Sequence, residues 1–159
     1  MMTDRVRTLA TVATTSPTSL AAAAAAAVRD QADEGGFEVD FLPAEHLIRQ
    51  MRRITRTQLC HWDLTTLSDD ATLAVSELVT NAIKHGKGQP VGLRVRRSPY
   101  ELRIEVTDGT PSPARLRSAD VADENGRGLF LVAALAWKWG VSKDGRTTWC
   151  MFQIPEGRA

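Results

Sequence analysis

Cysteine is scarce in this chain, and the scarcity excludes two architectures. Only Cys60 and Cys150 are present, far apart and in no C-x-x-C pair. A disulfide framework and a zinc site are therefore not expected, and a reducing cytoplasmic setting fits the composition best. Long apolar runs are missing too. The small-residue stretch from Ser19 to Val28 is too short and too weakly apolar to cross a bilayer. Arg5 and Arg7 ahead of the alanines have the layout of a secretory leader, but Asp4, Pro17 and the many threonines count against one. An excess of either charge is absent as well. The formal net charge of +1 gives no whole-molecule attraction to nucleic acid or to an anionic membrane. Neither G-x-x-x-x-G-K-[ST] nor a strand-linked G-x-G-x-x-G occurs, which removes the P-loop and dinucleotide folds. No internal repeat is visible.

Large apolar side chains are nearly absent from residues 1–35. That segment is threonine, serine and alanine, then Asp33-Glu34-Gly35-Gly36. It cannot offset its ordering entropy, so it reads as a disordered low-complexity tail, with at most a nascent helix over the alanines. What remains, residues 36–156, is of a length that suits one domain with a real core.

The domain opens with Phe37, Val39 and Phe41 alternating with Glu38 and Asp40, the period of a half-buried strand. Leu42-Pro43 reads as the start of a helix, with Pro43 in its first turn. Leu47, Ile48, Met51 and Ile54 are its apolar side. Arg49, Arg52, Arg53 and Arg56 are the other side, more simply a solvated face than a phosphate grip. Cys60-His61-Trp62 closes this helix. A second helix is expected from Ser68 as N-cap to Gly86 as terminator, with Asp69 and Asp70 in its first turn. Its buried stripe is read as Leu73, Val75, Leu78, Val79 and Ala82.

From Gln89 the period becomes two. Val91, Leu93 and Val95, then Leu102, Ile104 and Val106, form an antiparallel hairpin turned at Ser98-Pro99-Tyr100. Asp108 to Pro113 stops it. A polar segment to Asn125 leads to Gly126-Arg127-Gly128. A helix is expected over Leu129–Trp139, ended by Gly140, then a short strand near Val141, a two-residue turn at Asp144-Gly145 and a strand from Thr147 to Ile154. This order predicts an α+β two-layer sandwich, a mixed, mostly antiparallel sheet with helices on one face.

Three pieces carry chemistry. Glu77, Asn81 and His85 are four residues apart in turn and share one side of the second helix. A carboxylate one turn from a carboxamide suits proton acceptance and a hard cation, although an exposed polar face would look the same. Gly126-Arg127-Gly128 before a helix is an anion-site arrangement, weak when taken alone. Asp108, at a strand end, is placed to accept a hydrogen bond from an exocyclic amine, or is a simple turn aspartate.

Together and in this order, the pieces resemble a known family. Glu77-Leu78-Val79-Thr80-Asn81-Ala82-Ile83-Lys84-His85-Gly86 is similar to the N box of the Bergerat-fold ATPases, the superfamily of gyrase, heat-shock chaperones, histidine kinases and MutL. Asp108-Gly109 resembles its G1 box and Gly126-Arg127-Gly128-Leu129 its G2 box. The Ser-Glu-Leu-Val-Thr-Asn-Ala form most resembles bacterial anti-sigma-factor serine/threonine kinases of the RsbW type. The resemblance implies ATP and magnesium as cofactors. Asn81 would coordinate the metal, Glu77 would act as general base or position the attacking group, and Asp108 would bind the adenine amine, with Gly109 beside it in the nucleotide-binding set. Gly126, Arg127, Gly128 and Leu129 would hold the phosphates, His85 would line the phosphate side, and Thr147 or Thr148 would support the adenine. It further implies a homodimer that phosphorylates an anti-anti-sigma protein and sequesters a sigma factor, with no direct contact to nucleic acid or membrane. One departure stands out: the family's Asp-x-Gly-x-Gly is here Asp108-Gly109-Thr110-Pro111-Ser112, with the first glycine displaced and the second absent. That departure leaves a second function open, a nucleotide-binding sequestering module that transfers no phosphate. A histidine kinase catalytic half is disfavoured, because no two-helix segment with a phosphoacceptor histidine precedes Phe37.

Overall fold

The alternating apolar segments assemble into one six-stranded sheet in which all five strand pairings are antiparallel. The structure, a computed structural model, describes residues 26–31, 35–109 and 124–156. Its strands are β1 (Ala26–Gln31), β2 (Gly36–Phe41), β3 (Val91–Arg97), β4 (Glu101–Thr107), β5 (Lys138–Val141) and β6 (Thr147–Gln153). They lie in the order β1-β2-β3-β4-β6-β5. The helices are α1 (Glu45–His61), α2 (Ser68–His85) and α3 (Glu124–Leu135), with a 3-10 turn at Thr65–Leu67. The expected α+β sandwich is what forms.

Strand alternation sends one side chain of each pair into the helix layer. Val39, Phe41, Leu93, Val95, Leu102, Ile104, Cys150 and Phe152 are buried there against Leu47, Met51 and Leu59 of α1 and Val75, Leu78 and Val79 of α2. Burying a side chain of this size contributes roughly 1.5–3 kcal/mol, so this layer dominates the favourable side of folding. Helix α2 packs over the middle of the sheet, on β3, β4 and β6, with α1 on one flank and α3 on the other. The four arginines of α1 are exposed, as a solvated face requires.

Several expectations need correction. Ala26–Gln31, assigned to the tail, pairs with β2 as an edge strand. The open backbone groups of the β2 edge outweigh the helical preference of alanine. The rest of that tail and the stop at Thr110–Pro113 lie outside the described residues. Pro43 is not in the first turn of α1. The helix begins at Glu45 after an extended Ala44, and Leu42 to Ala44 form the connection from β2 to the helix. Ser68 does not cap α2. The 3-10 turn runs directly into it and the Ser68 amide donates to the Thr65 carbonyl, so no side-chain cap is made. Leu73 is 37% exposed. It lies five residues from Leu78, about 140° around the helix, and so off the buried stripe.

The C-terminal half differs most. Helix α3 begins at Glu124 and stops at Leu135, and Lys138–Val141 is already strand. The run from Leu129 to Leu135 and on to Trp137 is apolar on every side, and Lys138 comes only after the helix has stopped, so periodicity does not mark its end. Backbone pairing marks it instead. The Ala136 amide still bonds the Val132 carbonyl at 2.9 Å, while the Trp137 amide bonds Met151 of β6 at 2.9 Å. Gly140 therefore sits in β5 rather than ending a helix, and the Trp149 ring lies 2.7 Å from where a Cβ would stand. The β5–β6 turn is also longer than two residues. Ser142 and Thr147 close it by backbone bonding, with Gly145 at φ +73°.

Candidate active site

The second half of α2 is where the separated sequence motifs meet. Glu77 and Asn81 project from successive turns and are half-buried. Gly128 of α3 packs directly on them. A Cβ on Gly128 would stand 2.6 Å from Glu77 Oε2 and 3.7 Å from Asn81 Nδ2. The missing side chain lets the α3 backbone approach the carboxylate and carboxamide this closely. The α3 end of the site is thus built on the absence of one carbon atom.

One and a half turns further on, α2 ends at Gly86, which is buried and retains right-handed backbone angles. There it meets the end of β4, with Asp108 Cβ 3.6 Å from the position of a Cβ on Gly86. Asp108 is only 5% exposed. It continues the helix-side alternation of Leu102, Ile104 and Val106, and its amide donates to the Arg146 carbonyl at 2.8 Å. Asn81 and Gly86 are separated by about 7 Å along the helix axis. The α2 surface thus has two parts: Glu77, Asn81 and Gly128 meet at one level, His85 follows one turn beyond Asn81, and Gly86, about 140° around the axis from Asn81, meets Asp108 at the helix end. Among the described residues no group of three or more His, Cys, Asp or Glu converges on a metal position. A magnesium ion beside Asn81 would draw its remaining ligands from phosphate oxygens and water, the usual arrangement for that ion. The donor chemistry fits a metal–nucleotide pair in that form.

Several expected residues are placed differently. Thr147 pairs with Thr107, and their hydroxyls bond at 2.8 Å on the face away from the helices. The neighbouring Thr148 pairs with Val106 and so shares the helix side with Asp108. The register takes Thr147 out of the Asp108 group and puts Thr148 into it. Gly126-Arg127-Gly128 lies inside α3 rather than before it. Counting from Glu124, the free amides of the first turn end with that of Gly126, while those of Arg127, Gly128 and Leu129 fall within the helical ladder. Leu129 instead packs its half-buried side chain on the core. Gly109 sits against Gln89, whose Cβ would be 2.6 Å from an added carbon. Gly86 matters beyond its helix-ending role because of its contact with Asp108; its place at the close of the Glu77–Gly86 stretch is the available signal.

The outer face of the sheet carries a different surface. Arg94 bonds Glu38 at 3.1 Å, and Glu105 receives Arg96 at 3.3 Å and Arg103 at 2.7 Å. Arg103 also lies over the Trp149 ring, 4.7 Å from its centroid. The Arg94–Glu38 and Arg96–Glu105 pairs join neighbouring strands, the Arg103–Glu105 pair lies within β4, and each contributes little. A hollow of about 670 Å³ opens there between Asp40, Gly92, Arg146 and Trp149, and its rim reaches Asp108 and Gly109. Glu77, Asn81 and Gly128 do not line it, so it meets the α2 surface only at Asp108.

Comparison with known proteins agrees with this geometry. Residues 41–152 match the family described as the histidine kinase-like ATPase domain. That span runs from the end of β2 to the penultimate residue of β6 and contains every residue of the α2 surface. The chain is also similar to an uncharacterised protein of Streptomyces coelicolor, 40% identical over 75 residues, which is 45% of this chain and 71% of that protein.

Proposed function

We propose, from the premise that this chain belongs to the histidine kinase-like ATPase domain family, that it is an ATP-dependent protein serine/threonine kinase. In this reading it phosphorylates an anti-anti-sigma partner and sequesters a sigma factor, as a homodimer. The observation that carries the reading is the convergence of Glu77 and Asn81 on Gly128. Magnesium-ATP, when bound, supplies the phosphoryl group and the cation that neutralises its charge. The protein's part in such chemistry is to position groups and stabilise charge. Asn81 holds the metal side of the nucleotide through its carboxamide oxygen. The free first-turn amides of α3, that of Gly126 among them, would face the phosphates. Asp108, with Thr148 beside it, accepts the adenine amine. Glu77 takes the proton of the incoming serine or threonine hydroxyl.

A second reading, a nucleotide-binding sequestering module, is favoured by the tight seat of Glu77 on Gly128. A carboxylate in contact with a helix backbone has less freedom to accept a substrate proton. A labelled-ATP transfer assay with the anti-anti-sigma partner separates the two readings. General-base assistance is worth about a hundredfold to ten-thousandfold. Glu77→Gln should lose most of the transfer while holding ATP within a few-fold, and Asn81→Ala should lose both. ATP binding by the wild type without transfer supports the module; undiminished transfer by Glu77→Gln removes that carboxylate from the role of base.

A further inference from the structure

Strand β1 is a poor match for the edge it covers. On its helix side β2 presents Phe37, Val39 and Phe41, all buried, and on its outer side Glu38 and Asp40. Such an edge gains most from bulky β-branched or aromatic residues opposite the first three and from basic residues opposite the two acids. The other neighbour, β3, comes close to this. Val95, Leu93 and Val91 oppose the apolar three, and Arg94 opposes and bonds Glu38. The register of β1 instead sets Asp30 opposite Phe37, Val28 opposite Val39 and Ala26 opposite Phe41. On the acidic row Arg29 opposes Glu38, but Ala27 opposes Asp40. Asp40 is exposed and makes no ion pair among the described residues. The substantial packing of β1 is with β2 alone.

We propose that β1 is a placeholder, displaced when an extended segment of a partner protein adds to β2 as an antiparallel strand. The partner segment alternates bulky apolar residues with lysine or arginine. Charge complementarity selects that chemistry and disfavours a second copy of this chain. Antiparallel self-pairing of β2 about Val39 would set Glu38 opposite Asp40 twice, and like charges directly opposed are destabilising. Backbone hydrogen bonds supply the affinity in this mode of recognition, and alternate side chains supply the specificity. The inference is independent of nucleotide binding.

The test uses the full chain and a fluorescent heptapeptide, Thr-Val-Lys-Val-Arg-Val-Thr, read by anisotropy. Wild type should bind it, and a control peptide with the valines and the basic residues in separate blocks should not bind. Ala27→Lys with Asp30→Val improves two cross-strand pairs of β1 and should weaken peptide binding roughly two- to thirtyfold. Asp40 and Ala27 form a hydrogen-bonded pair of the β1–β2 ladder, so Ala27→Pro removes a backbone donor from it and should tighten peptide binding. Asp40→Lys should weaken it. Equal affinity in the wild type and in both β1 variants would overturn the proposal, as would failure of Ala27→Pro to bind. Binding by Ala27→Pro with none by wild type would also overturn it, since β1 would then be a permanent strand.

Discussion

Gly128→Ala should leave stability almost unchanged while damaging function. The new Cβ would stand 2.6 Å from Glu77 Oε2, about 0.8 Å inside the distance at which ordinary contact begins. The backbone of α3 gains, because alanine is favoured over glycine inside a helix by about 1 kcal/mol. The carboxylate is the far end of a flexible side chain and yields by leaving its rotamer, at a cost of roughly 0.5–1.5 kcal/mol. These two terms nearly cancel, so the melting temperature should move by no more than a few degrees. Function does not enjoy the same cancellation. A displacement near 1 Å in a positioning group can lower a rate about a hundredfold. Thermal unfolding beside a labelled-ATP transfer assay measures both quantities. A stability loss above about 3 kcal/mol would show that the Gly128–Glu77 contact is rigid packing, and unchanged transfer would show that the position of Glu77 is immaterial.

Four further outcomes are expected. Asp108→Asn should weaken ATP and ADP alike, and the wild type should reject GTP, whose carbonyl would face the Asp108 carboxylate acceptor to acceptor; equal ATP and GTP affinities in a titration would remove Asp108 from this role. Thr148→Val should weaken nucleotide binding and Thr147→Val should not, since only Thr148 shares the helix side with Asp108; the reverse order in a titration would contradict the register argument. Deleting residues through Gln31 removes β1 and should cost about 1–3 kcal/mol in chemical denaturation; no change would show that β1 contributes nothing to the folded state. Burial pushes the Cys150 thiol from 9.0 up to about 12. The folded state therefore holds a proton that the unfolded state releases above pH 9. That contribution to stability is complete below pH 9 and declines as pH rises toward 12, by up to about 1.4 kcal/mol per pH unit. Cys150→Ala should flatten the decline, and a thiol reagent at neutral pH should reach the exposed Cys60 but not Cys150 until the protein unfolds.

Strands β2, β3 and β4 and helix α2 were legible because one face of each is buried and the other is wet. Val91, Leu93 and Val95 alternate with arginines, and nothing but a half-buried strand explains that. The meeting of Glu77 and Asn81 with Gly128 was legible only as a family resemblance, since helical spacing aligns the first two and says nothing of a glycine 47 residues beyond Asn81. Where both sides of an element carry apolar residues, the reading failed. From Leu129 to Trp139 the sole polar residue is Lys138, already inside β5, so the end of α3 and the start of β5 could not be separated. The choice between Thr147 and Thr148 depended on a register set by Ile104 opposite Cys150 and Leu102 opposite Phe152, which is a property of two strands and not of one. The β1 edge strand was hidden because its residues have little intrinsic preference for the conformation they adopt.

The order of strands along the chain and across the sheet has a consequence for synthesis. Strand β6 follows the other five along the sequence yet lies between β4 and β5. A ribosome therefore releases β1 to β4, α3 and β5 before the strand that joins them exists. Until Thr147–Gln153 emerges, β4 offers an open edge, with Leu102, Ile104 and Val106 lacking the neighbours that later cover them. Such edges are templates for unintended pairing. An interrupted translation product lacking this strand is expected to be a client of chaperones or proteases rather than a smaller working protein. Changes at the two ends of the folded region should therefore be unequal in effect. Loss of β1 trims a border, whereas loss of β6 divides the sheet.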